Sequence, residues 1–384
     1  MTALALSGER FRVVYRIQGA EAEARRRAEE ICIEQTVEFP PDLIDSGPIR
    51  DGIFGRVESF APTGADGSAW NVSVSYAIEV AGTELTQLLN VVFGNTSLKP
   101  GIRVEHLEPT AGLLESFRGP RFGVEGLRAL LGIAGRPLLC TAVKPMGLSP
   151  AELGRLAGAF AAGGIDCVKD DHGLADQPFC RFSERVGACV EAVGAHVRPG
   201  SRCLYFANVT ASPLEAIERA HLAKDLGAGG LLVAPGLCGW DTMRALSEDP
   251  NLGLPVICHP ALLGSFHSDA RHGIAHGVLY GQMARLAGAD ATIFPSYGGR
   301  FSFTRDDCRA LVRGATERFG SIRSIVPVPA GGMTVERVPE LLEFYGLEVM
   351  LLIGGDLHRH GSDLAHSCAS FLERVTETSV GVGR

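Results

Sequence analysis

From about residue 135 onward, short apolar runs alternate with longer stretches of helical spacing. The runs are PLLCTAVK (137–144), IDCVKD (165–170), CLYFANV (203–209), LLVAP (231–235), PVICHP (255–260), ATIFP (291–295), SIVPVPA (324–330) and VMLLIGG (349–355). They are rich in Val, Ile, Leu and aromatic residues and nearly continuous in hydrophobicity, as strands buried on both faces are. Eight such runs, each followed by a helical segment and a short connection, predict a (β/α)8 barrel. The alternative is an open doubly wound sheet, but no GxGxxG follows the first run.

Helix starts are written in several places. SPAE (149–152) and SPLE (212–215) each offer serine as N-cap, proline at the first helical position and glutamate three residues after the cap. Thr304 with Asp307 repeats the pattern more weakly, and Gly163–Gly164 and Gly227–Gly230 supply stops. The first part of the chain reads differently. RFRVVYRI and WNVSVSYAIEV alternate like half-buried antiparallel strands, with the helical AEAEARRRAEEICIEQT between them. The expectation is an α/β protein with a small α+β domain over residues 1–118 and the barrel over 119–384.

Composition narrows the function. A net charge of -8 leaves no basic footprint, so neither nucleic acid nor an anionic membrane is an expected partner. Apolar runs stay below 18 residues, and the start MTALALSGERFRVV has no cationic segment ahead of an apolar one, so a cytoplasmic protein is expected. The ten cysteines form no CxxC pair and several lie inside apolar runs, which predicts reduced, buried thiols. The 36 basic residues are 32 Arg and four Lys, namely Lys99, Lys144, Lys169 and Lys224. In a chain that writes positive charge as arginine, a lysine is a candidate for chemistry that a guanidinium cannot do. An amine can lose its proton, form a Schiff base or take up CO2 as a carbamate.

Barrel enzymes work at the C-terminal ends of their strands. Strand 1 ends in Lys144, and strand 2 in Lys169, Asp171 and His172; strand 3 supplies Asn208 and strand 5 His259. Strand 6 leads into PSYGGRF, strand 7 ends in Gly331-Gly332 and strand 8 in Gly354-Gly355. Lys169 and Asp171, two apart on a strand, point to one side while Asp170 faces away. A bare lysine does not ligate a hard cation; a carbamylated one presents oxygens and with Asp171 would make a magnesium site. Uncarbamylated, Lys169 would pair with Asp171 as a salt bridge. The double glycines let backbone N–H groups approach an anion where barrels often bind phosphate.

These residues together resemble the RuBisCO large-chain family, from IEQTVEFP (33–40) through NVVFGN (90–95) to IGGD (353–356). The most specific pieces are GRPLLCTAVKPMGLSP, GGIDCVKDDHGLADQPFCRF and PAGGM. The resemblance implies an α+β domain before the barrel, a homodimer whose active site draws on the partner's N-terminal domain, and enolisation of a sugar phosphate on magnesium. It matches Lys169 to the carbamylated metal lysine, Asp171 to a ligand, Lys144 to the proton-transfer lysine and His259 to the strand-5 histidine. Gly332, Gly354 and Gly355 match a phosphate cradle, and Glu34 the glutamate that reaches the partner's site.

Departures limit what is carried over. The family's third metal ligand, a glutamate, is His172 here, a metal ligand or an acid–base group. The strand-6 loop has no lysine to hold CO2, leaving Arg300 as the nearby cation; the phosphate-binding arginine after the strand-5 histidine is Pro260, and the serine before the strand-7 glycines is Ala330. The expectation is therefore a RuBisCO-like enzyme that does not carboxylate ribulose bisphosphate and acts on a monophosphorylated keto sugar. Decarboxylation or C–C hydrolysis of 3-oxo-isoapionate 4-phosphate is the favoured reaction, since loss of CO2 is the parent chemistry reversed. Isomerisation of 5-methylthioribulose 1-phosphate follows narrowly, then enolisation of a diketo thiopentyl phosphate. A non-catalytic descendant is the reading of another class, and retention of Lys144, Lys169 and Asp171 speaks against it.

Overall fold

In a computed structural model that describes residues 4–64, 67–359 and 363–382, the N-terminal sheet comes first. Its strands are β1 (Arg10–Gln18), β2 (Arg56–Pro62), β3 (Ala69–Ala77) and β4 (Ile102–Glu108), with helix Glu21–Glu34 packed on one face. Alternation along β1 buries Phe11, Val13, Tyr15 and Ile17 completely, as a half-buried antiparallel strand requires. The buried tyrosines Tyr15 and Tyr76 meet hydroxyl to hydroxyl at 3.0 Å, and Tyr15 donates to the Val92 carbonyl.

The eight strands of the barrel are all present. They are β5 (Leu138–Val143), β6 (Cys167–Asp170), β7 (Leu204–Asn208), β8 (Gly230–Val233), β9 (Val256–Cys258), then, after a short strand β10 (Gly273–Ile274), β11 (Ala291–Pro295), β12 (Val326–Ala330) and β13 (Met350–Ile353). Apart from β10 they close into a parallel barrel in the order β11-β12-β13-β5-β6-β7-β8-β9. Its lumen is filled by Leu138, Cys140, Cys167, Phe206, Leu232, Ile257, Ile293, Val328 and Met350, and Val124, Leu127 and Leu131 of helix Gly123–Leu131 join the same cluster. The ten cysteines are free thiols, nine of them buried.

Two of the three predicted capping boxes form. Ser149 with Glu152 and Thr304 with Asp307 are both complete, so the weaker signal was a full box. Ser212 stands at the N-cap of helix Pro213–Asp225, but its hydroxyl makes no cap bond. Strand β10, which the sequence pattern did not show, leaves the barrel to pair with β4, joining the two parts in one five-stranded sheet. Gln282 reinforces the junction by exchanging two hydrogen bonds with the backbone of Leu107, at 3.0 and 2.8 Å. Among the described residues, no helix is long and apolar enough to cross a membrane.

Candidate active site

Strand alternation on β6 sorts four residues by destination. Cys167 and Lys169 face the barrel interior, while Val168 and Asp170 face the surrounding helices. Lys169 is only 2% exposed, and its amine donates to the Asp170 carbonyl at 3.0 Å. Burial pulls its pKa below the ordinary lysine value. Just beyond the strand, Asp171 opens toward the mouth, with Lys144 Nζ at 3.9 Å and His172 Nδ1 at 3.6 Å from its Oδ1. Burial pushes the Asp171 carboxyl up, but the His172 hydrogen bond and the charge of Lys169 outweigh it and hold the group ionised well below the usual range.

Asp170 does face away, into a buried network. Arg185, on helix Phe182–His196 and fully buried, donates its Nε to Asp170 Oδ1 at 3.0 Å, and the Tyr205 hydroxyl donates to the same oxygen. The Asn208 amide N–H donates to Asp170 Oδ2 at 2.9 Å. The Asn208 side chain then donates to the carbonyls of His172 and Leu174, at 3.1 and 2.8 Å. The residue expected to meet substrate thus has its amide nitrogen committed to the loop that carries Asp171 and His172.

His259, at the end of β9, stacks on His172 with ring centroids 4.5 Å apart and planes 14° from parallel. Its Nδ1 accepts the Ala261 N–H at 3.2 Å, which leaves the proton of the neutral ring on Nε2. Burial, followed by the charge of Lys169, drives its pKa down to about 2, so the ring is neutral.

The remaining predicted residues fall in three places. Gly354 ends strand 8 beside Lys144: a Cβ added there would lie 3.9 Å from Lys144 Nζ. Gly331 and Gly332 form an exposed turn after β12, both at positive φ (88° and 67°), where side chains are rarely accommodated. Gly355 opens a short turn over Gly355–His358. Arg300 extends outward on the strand-6 loop with its guanidinium over Phe301, 4.9 Å from the ring centre. Glu34 remains with its own domain, accepting from Asn95 at 3.2 Å and facing Lys99 at 3.9 Å.

Three residues escaped the sequence reading. Arg185 looked like one more helical arginine. His358 lies near enough to Lys144 that burial and that charge together depress its pKa. Arg337 hydrogen-bonds the strand-7 turn through Gly332 O at 2.8 Å.

Among the described residues, no three His, Cys, Asp or Glu side chains converge to hold a metal. A divalent cation at this corner therefore needs further donors, and carbamate oxygens on Lys169, beside Asp171, fit an oxygen-preferring ion. A buried amine with a lowered pKa is suited to forming that carbamate, because the neutral amine is the form that attacks CO2.

Comparison with known proteins identifies the family. Residues 123–375 match the family described as ribulose bisphosphate carboxylase large chain, catalytic domain. The chain is 41% identical to ribulose bisphosphate carboxylase-like protein 1 of Rhodopseudomonas palustris, over 96% of this chain and 98% of that protein. It is 38% identical to the 5-methylthioribulose-1-phosphate isomerase of Rhodospirillum rubrum, over 96% of each. A crystal structure of a Rubisco-like protein from Rhodopseudomonas palustris superposes with a TM-score of 0.85, at 38% identity, covering 96% of this chain and 98% of that one.

Proposed function

The chain belongs to the ribulose bisphosphate carboxylase large-chain family, in its RuBisCO-like branch, and we propose that it isomerises a keto-pentose 1-phosphate of the 5-methylthioribulose type. The observation that carries this is the position of Lys144, whose amine stands between Asp171 and Gly354, that is, between the proposed metal corner and the proposed phosphate cradle. The 38% identity to a 5-methylthioribulose-1-phosphate isomerase over nearly the whole chain supports isomerisation over decarboxylation. The favoured 3-oxo-isoapionate 4-phosphate reaction has no counterpart among these relatives, and the order of the two readings is reversed.

In this reading, carbamylated Lys169, Asp171 and His172 would hold magnesium, which when bound supplies a Lewis acid that stabilises negative charge on the substrate's ketone oxygen. Lys144 takes a proton from the carbon beside the ketone and returns one to another carbon. Nothing is added or lost, so the reaction needs no co-reactant. Neutral His259 donates its Nε2–H to a substrate oxygen as charge develops there. The glycines after strands 7 and 8 bind the phosphate through backbone N–H groups. Glu34 would serve the site of a second copy in a homodimer.

The test is a substrate panel with magnesium and bicarbonate. 5-Methylthioribulose 1-phosphate should give a new pentulose phosphate by 31P and proton NMR, while 3-oxo-isoapionate 4-phosphate should release no CO2. CO2 release with no isomer formed would reverse the assignment.

A further inference from the structure

Ala330, before the strand-7 glycines, stands where the family has a serine, so that turn lacks a hydroxyl. The structure brings a cation to the same turn. Arg337, in the turn Val335–Arg337 before helix Val338–Tyr345, reaches three segments with one guanidinium. Its Nη1 donates to Gly332 O at 2.8 Å, its Nη2 to Tyr297 O at 3.4 Å, and its Nε to Glu340 at 3.2 Å. The guanidinium also lies 5.3 Å from the centre of the Tyr297 ring.

Two glycines are shaped around it. A Cβ on Gly332 would stand 2.8 Å from Arg337 Nη1, and one on Gly298 would stand 3.4 Å from Nη2. The strand-6 and strand-7 loops touch directly as well: a Cβ on Gly299 would meet the Gly331 carbonyl carbon at 3.4 Å. Arg305, the first residue of helix Arg305–Thr316, binds Glu340 from the other side at 2.7 Å and lies 4.6 Å from the same tyrosine ring centre. Two arginines thus share one carboxylate.

We propose that Arg337 is the positioning residue of the phosphate corner. It grips the Gly332 carbonyl, which fixes the direction of the turn's N–H groups, and it pins the strand-6 loop as the wall of that corner. Because each terminal nitrogen carries two N–H groups, the grip on the protein leaves donors free to face an anion. This rests on the reading that the strand-7 glycines bind the substrate's phosphate.

The experiment measures inorganic phosphate binding by equilibrium dialysis, on wild type, Arg337→Gln, Arg337→Lys and Gly332→Ala, together with kcat and KM for the pentulose phosphate. Arg337→Gln is expected to weaken phosphate binding by roughly tenfold or more, the scale of one charge-assisted hydrogen bond. Arg337→Lys, which keeps the charge and loses the fork, should fall between. The loss in kcat/KM should come mainly through KM, since the interaction is made with bound substrate as well as with the transition state. Gly332→Ala should also weaken phosphate binding, and the double variant should lose less than the two single losses combined, because both changes disturb the Arg337–Gly332 contact. If wild type binds phosphate, Gly332→Ala abolishes it and Arg337→Gln leaves it unchanged, the role of Arg337 is overturned while the cradle stands. If wild type and Gly332→Ala bind phosphate alike, or neither binds it, the cradle reading fails and the inference with it.

Discussion

His172 and His259 stack face to face, 4.5 Å between ring centres, although 87 positions of sequence separate strand ends that meet only when the barrel closes. The stack sits beside Asp171, and the Ala261 N–H on His259 Nδ1 leaves Nε2 as the proton-bearing nitrogen. Support and chemistry can be separated by substitution. His259→Phe retains a flat ring under His172 and should leave magnesium affinity within about threefold, while lowering kcat by roughly 100-fold or more, the scale of a lost proton donor. His259→Ala should lose both. Metal titration alongside steady-state kinetics separates the two, and equal metal defects in both variants would assign His259 a supporting role only.

Lys169 should trap CO2. With 13C-labelled bicarbonate and magnesium, wild type is expected to show one carbamate carbon signal per chain, and Lys169→Met none. Because the amine's hydrogen-bond partner among the described residues is a single carbonyl, that of Asp170, Lys169→Met should alter the unfolding free energy by no more than about 1 kcal/mol. A carbamate signal that persists in the variant would place the modification elsewhere.

The pair Arg185–Asp170 is buried on both sides, with side-chain exposures of 0%. Arg185→Met should cost about 3–5 kcal/mol by leaving a carboxylate buried without its cation. Combining it with Asp170→Asn should restore much of that, since the unpaired charge is gone. Urea denaturation measures all three, and additive costs in the double variant would contradict the coupling.

Acid sensitivity is expected at the junction of the two parts. His276 lies 3.2 Å from Asp307 and packs against His267, with centroids 4.4 Å apart, and Arg103 is a further positive charge acting on it. Burial, then the neighbouring His267, lowers the His276 pKa from 6.5 to about 4. A histidine whose folded pKa is depressed contributes stability that is complete above about pH 6.5 and is lost as pH falls through about 4. His276→Phe should flatten that decline by about 1–3 kcal/mol across the window. An unchanged slope in the variant would show that the loss arises from other groups.

How much was legible depended on whether a signal was local. The barrel strands were, because burial on both faces makes each a continuous apolar run. The shared side of Lys169 and Asp171 was, because strand alternation has a period of two. Contacts that depend on closure were not. Nothing near Arg185 marks it as the partner of Asp170 rather than a solvated helix residue, and nothing near Arg337 points to the Gly332 carbonyl. The bonds from the Asn208 side chain to the carbonyls of His172 and Leu174 are of the same kind, since they join two strand ends that meet only in the folded barrel. Strand β10 has only two residues, too short for any alternation to be read, and the Ser212 signal was present without its hydrogen bond.

The proposed isomerisation requires Lys144 to move a proton at carbon. The most direct measurement is deuterium incorporation from D2O into 5-methylthioribulose 1-phosphate and its product, followed by proton NMR with magnesium and bicarbonate. Exchange is expected at the carbon beside the ketone, concurrent with isomerisation, with loss of both in Lys144→Met while that variant retains its carbamate signal and binds phosphate as wild type does. Exchange undiminished in Lys144→Met, or isomerisation without any exchange in either protein, would contradict that requirement.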